Sequence, residues 1–117
     1  SHWNLPYERR NASKDELIGL AMASESEGLP GLAAGVFHHV ALMSLGSEDA
    51  GVFANRSMRL REEAEDVEGM IYGHALLAHI AKDEGDFERS QLHYSRLRRF
   101  CLYRIDRNST QKGPADL

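Results

Sequence analysis

Cysteine is nearly missing from this chain. Cys101 stands alone among 117 residues, so no intrachain disulfide can form and a reducing compartment such as the cytoplasm is expected. Cys101 itself reads as a buried structural thiol rather than a reactive one. Proline is almost as scarce, with three in all. β-Branched residues are few, Thr110 is the single threonine, and the alternating runs that mark strands do not occur. An excess of positive charge is also lacking: the net charge is -4 and the isoelectric point is near 5.8. That balance excludes a general affinity for nucleic acid or anionic membrane. A secretory leader is not expected, because His2, Glu8, Arg9 and Arg10 interrupt any apolar run. Ser1-His2 without a methionine fits an expression scar or an excised fragment and adds nothing to the fold.

What is present describes one compact domain. Of the residues, 42% are hydrophobic and 27% charged, and a chain of this size buries about two-thirds of its unfolded surface. Charge is unevenly placed. Residues 1–85 carry 7 basic and 14 acidic side chains, net -7, whereas residues 86–117 carry 7 basic and 4 acidic, net +3. From Leu29 to Leu45 there is no formal charge, close to the minimum for a membrane span. His38 and His39 at its centre make a buried helix of a soluble domain the better reading.

The apolar period is helical nearly throughout. Five helices are predicted. The first, over 13–25, opens on a capping box of Ser13 with Glu16 and is broken by Gly28, Pro30 and Gly31. The second covers 32–45 and ends at Gly46. The third covers 47–65, with Glu48 and Asp49 at its positive end. The fourth runs over 67–84 to Gly85, and the fifth opens at Asp86 and covers 86–107. Residues 1–12 and 108–117 are expected to be flexible ends.

The chain also repeats. Gly46 and Gly85 are 39 residues apart, and Phe53 matches Leu92 and Met58 matches Leu97 at the same offset. A period of that length, with two helices per unit, marks an α-solenoid. In the second unit Leu77-Ala78 supplies a large and a small residue, Gly85-Asp86-Phe87 a turn, Ser90 a small contact residue and Tyr94 an aromatic. This segment resembles a tetratricopeptide repeat, and Arg56 to Glu63 leading into it is similar to longer repeats beside bacterial transcription-regulator ATPases. Ala81, Leu97 and Leu102 depart from the family pattern, and the first unit keeps only Gly46 and Gly51. The expected fold is all-α: antiparallel helix pairs stacked as a short right-handed α-solenoid. The resemblance implies a protein-binding scaffold, or the sensor part of a bacterial regulator.

Signals for catalysis are weak. His79 and Asp83 share one helix face at a spacing that suits two metal ligands, but His74 falls about 140° away on the helix. No Cys-x-x-Cys, His-Glu-x-x-His, Gly-x-Ser-x-Gly or phosphate-loop pattern occurs. No cofactor, no metal and no enzymatic activity are expected. His38, His39, His74 and His93 read as satisfied or solvent-facing residues.

Two surfaces remain as candidates. On the fourth helix Tyr72, His79 and Asp83 fall within one arc, opposite Leu77 and Met70, and are expected to line a partner or effector groove. On the fifth helix Phe87, Tyr94, Leu97, Cys101 and Ile105 form the expected inward stripe. Leu92, Arg96, Arg99, Phe100 and Tyr103 lie outward, where aromatics among arginines suit a protein interface. The expected partner is therefore another protein, or a second copy through the last helix, with no nucleic acid and no membrane involved. A small-ligand sensor is the alternative.

Overall fold

The computed structural model describes the backbone of residues 13–116 and the side chains of residues 13–105. The expected flexible segment 1–12 lies outside the described residues. Among the described residues five helices follow one another: α1 (Lys14–Ser26), α2 (Pro30–Met43), α3 (Asp49–Glu63), α4 (Val67–Asp83) and α5 (Phe87–Asp116). No strand occurs among the described residues, and no helix there is long and apolar enough to cross a membrane. Each helix packs on its sequence neighbours, α1 on α2, α2 on α3, α3 on α4 and α4 on α5. The architecture is a short α-solenoid of antiparallel helix pairs.

Local chemistry explains the ends. The Ser13 hydroxyl accepts the Glu16 amide at 3.2 Å, Asp66 accepts that of Gly69 at 2.9 Å, and Asp86 accepts that of Arg89 at 3.1 Å. Each side chain satisfies an amide that has no partner within the first turn. Helix α2 begins earlier than predicted, at Pro30, because proline at the first helical position gives up only an amide that is orphaned anyway. Helix α3 is shorter at both ends. Helix α5 runs on past Arg107 to Asp116, so the expected flexible end from 108 is helical instead: Asn108 to Lys112 cost fractions of a kcal/mol each, and nothing in the structure explains its passage through Gly113 and Pro114.

Three corners share one hydrogen-bond pattern. The amide three residues past the helix end reaches back to a carbonyl in the last turn: Leu29 to Ser24, Asp66 to Arg61 and Asp86 to Ala81, each at 2.9 Å. The residue before it is left-handed, with φ of 79° at Gly28, 53° at Glu65 and 81° at Gly85. This is the Schellman arrangement, which favours glycine at that position. Gly46 also has positive φ, at 91°, but its corner is built differently. There the Ser47 amide and hydroxyl both donate to the Ser44 carbonyl, at 3.0 and 2.8 Å. The 39-residue pairing of Gly46 with Gly85 is thus corrected: the equivalents of Gly85 are Gly28 and Glu65. The physical reason is loop length, five residues between α2 and α3 against three at the other corners.

Apolar burial lies in two adjoining clusters. Ala21, Ala33, Ala34, Phe37 and Leu60 join α1, α2 and α3; Ala41, Ala50, Ala54, Met58, Leu76, Leu77 and Ile80 join α2, α3 and α4. Alanines at the contacts let the helices approach closely. In α2/α3 the Ser57 hydroxyl donates to the Ala34 carbonyl at 2.7 Å; in α4/α5 the Ser90 hydroxyl donates to the Ala78 carbonyl at 3.0 Å.

Candidate partner-binding groove

Ser90 sets the rotation of α5, and that rotation differs from the expected one. The side chains of α5 that are buried are Ser90 and His93, with Leu97 and Phe100 half-buried behind them. Phe87, Tyr94, Cys101 and Ile105, expected to point inward, are exposed, Phe87 at 65% and Ile105 at 59%. The inward stripe and the buried thiol at Cys101 are therefore both corrected. A small side chain lets α5 settle against α4, so the face bearing Ser90 turns inward although it carries less apolar surface. Ser90 at the helix contact is the residue on which the tetratricopeptide resemblance drew.

That rotation brings two histidines together. His74 Nδ1 lies 3.1 Å from His93 Nδ1, and the His74 ring stacks on Phe100 with centroids 5.7 Å apart. Both imidazoles are buried, so one ring donates and the other accepts. Burial holds the pKa of His74 below its ordinary value, and the Arg96 guanidinium lowers it further. Burial also lowers His93, followed by His74, Arg96 and Arg89. Both imidazoles are thus harder to protonate than a free one, with Arg89 and Arg96 adding to the effect of burial. His38 behaves likewise: burial, then Arg61 and His39, lower it, and Arg61 donates to His38 Nδ1 at 3.0 Å.

Above the histidine pair a groove of about 770 Å³ runs between α3 and α5 with α4 as its floor. Met58, Met70, Leu77 and Phe100 supply apolar surface. Asn55 and Glu62 stand on the α3 side, Arg96, Arg99 and Tyr103 on the α5 side. Gly73 helps to close the floor, since a Cβ there would meet the Met58 terminal methyl at 2.5 Å.

The two candidate surfaces fare differently. Arg96, Arg99, Phe100 and Tyr103 come together, though as a wall of this groove rather than an outward face; Phe100 is turned in against His74. Leu92 is exposed at 48% and does not line the groove. Tyr72 is 65% exposed, and His79 and Asp83 form an exposed pair at 3.5 Å. These three sit on the side of α4 opposite Met70 and Leu77, and so face away from the groove. Asp83 instead borders a smaller cavity of about 440 Å³ beside the α2–α3 loop. Among the described residues no three His, Cys, Asp or Glu side chains gather as a metal site. Sequence reasoning missed Met58, Met70, His74 and His93 as groove residues. The available signal was Ser90: taking it as the contact position places His93 and Phe100 within 80° of it on the helix.

No protein-family model, no curated protein and no solved structure matches this chain. The tetratricopeptide resemblance therefore rests on the sequence alone, chiefly on residues 77–94 with Arg56 to Glu63 leading into them.

Proposed function

We propose that this chain is a non-catalytic binding module whose protein partner docks in the groove between α3 and α5. One observation carries the reading: a methionine- and aromatic-floored channel left open by three helices, with arginines along its edge that have no ion-pair partner among the described residues. Methionine is flexible and polarizable and adapts to irregular apolar surfaces; arginine and aromatic residues dominate binding energy at interfaces. A small-effector sensor would need an enclosed pocket, and the exposed walls at Asn55, Glu62, Arg96 and Tyr103 favour a polypeptide instead. Such a role suits a scaffold or the regulatory part of a larger assembly.

The test is direct. Peptides selected from a displayed library of random 16-residue sequences should bind Met70→Asp at least tenfold more weakly than the parent chain and bind Tyr72→Ala unchanged. Loss on Tyr72→Ala alone would move the site to the opposite face of α4. Failure to select any peptide would overturn the reading. Self-association through α5 is a second reading, favoured by exposed Phe87, Tyr94, Leu102 and Ile105 along one helix. Light scattering on Tyr94→Asp/Ile105→Asp against the parent separates it: a parent that is already monomeric removes it.

A further inference from the structure

We infer that the occupant of the groove is an acidic amphipathic helix of another protein, its apolar side on Met70 and Phe100 over the buried Met58 and Leu77, and its carboxylates against Arg96 and Arg99. The inference rests on the binding-module reading and adds the chemistry of the partner.

The basic side chains fall into two sets. Lys14 pairs with Asp49 at 2.9 Å, Arg56 with Glu25 at 3.1 Å and Arg104 with Glu68 at 3.3 Å, and Arg61 is held on His38. Arg59, Lys82, Arg89, Arg96, Arg98 and Arg99 have no ion-pair partner among the described residues, and of these Arg96 and Arg99 stand on the edge of an apolar floor. The chain as a whole is acidic, yet the carboxylate among the described lining residues, Glu62 on the opposite α3 wall, makes no ion pair with Arg96 or Arg99. Arg96 reaches the floor electrostatically, since its charge depresses both buried histidines. A carboxylate arriving beside it gains charge-assisted, bidentate hydrogen bonds.

Shape selects a helix. The floor from Val67 to Leu77 spans ten helical rises, about 15 Å or three turns, and a trough between two helices is the seat that an amphipathic helix takes with anchors at i, i+3 or i+4 and i+7. Glu62 on the α3 wall sets the orientation. It repels carboxylates, so the acidic side of the partner turns toward α5. The same residue disfavours a nucleic acid, whose phosphates would meet it.

Sequencing the library selection and measuring the best peptide by fluorescence anisotropy tests this. Selected sequences should show apolar residues at helical spacing and an excess of Asp and Glu. Arg96→Glu/Arg99→Glu, both exposed positions, should keep the helical circular dichroism of the parent and bind the peptide at least tenfold more weakly. Replacing the peptide's acids by lysine should restore binding to that variant. Groove-dependent peptides without an acidic excess, or indifferent to the charge reversal, would overturn the acidic helix while leaving the binding module standing. Peptides whose binding ignores Met70→Asp would overturn both.

Discussion

Around the Ser57–Ala34 bond of the α2/α3 hairpin lie Phe37 and Val40, both fully buried, and Phe37 stacks on Phe53 at 6.1 Å. Around the Ser90–Ala78 bond of α4/α5 the buried neighbour on the second helix, among the described residues, is His93, paired to His74. Among the described residues no α5 side chain enters either apolar cluster. The same serine-to-carbonyl bond thus closes two unlike seams. The first is held by apolar burial, which does not change with pH; the second rests on two imidazoles, which do. A solenoid can therefore keep a rigid body and a terminal helix that responds to its surroundings, and the groove lies along that responsive seam.

The comparison can be broken by mutation. Phe37→Ala should cost about 3–5 kcal/mol, measured by urea unfolding, because a fully buried ring leaves a cavity. Phe100→Ala, on a half-buried ring, should cost clearly less; equal losses would show that the seams are held alike.

Acid should act on one seam more than the other. The folded pKa values of His74 and His93 lie below the ordinary 6.5, so the unfolded chain binds more protons as pH falls. Stability from the pair is fully present above about pH 6.5 and is lost as pH drops toward the lowered values. Arg89 and Arg96 on α5 oppose protonation; Glu62, across the groove on α3, is the acidic side chain facing it. Amide exchange should therefore show α5 loosening between pH 7 and 5 before the core of α2. His74→Phe/His93→Leu should flatten that dependence. Loss of protection at α2 first would assign the effect to His38, which is lowered for similar reasons.

Smaller effects sharpen the corners. Gly85→Val should lower stability by about 1 kcal/mol or more, because a β-branched residue is strained at φ 81°. Glu65→Gly, at φ 53° in the equivalent corner, should raise it by up to about 1 kcal/mol. Thermal melts read both, and the same sign for the two would mean that the corners are not equivalent. Gly73→Ala should stay within about 1 kcal/mol of the parent: the helix gains propensity, and the Met58 methyl that it meets is the free end of a flexible chain.

Caps were legible because they are local. Ser13 and Asp86 sit where an orphaned amide needs an acceptor, and Gly85 sits where only left-handed backbone closes the turn; the Asp66 cap showed only in the structure. Glu65 hid the third corner, since a glutamate gives no sign of positive φ. Gly46 misled for the converse reason: a glycine with positive φ is shared by turns whose hydrogen bonds differ. On α5, counting apolar residues pointed to Phe87, Tyr94 and Cys101, whereas close approach at Ser90 decided the matter.

The sequence alone determined that this protein is helical, where its five helices divide, and that its basic charge gathers at one end. Periodicity, caps and composition act over a few residues and need no partner. Only the tertiary structure decided which face of α5 turns inward, that His74 meets His93, and that Arg96 and Arg99 border a groove instead of standing outward. Those outcomes depend on how closely two backbones approach, which is set by a small side chain on one helix and a carbonyl on another.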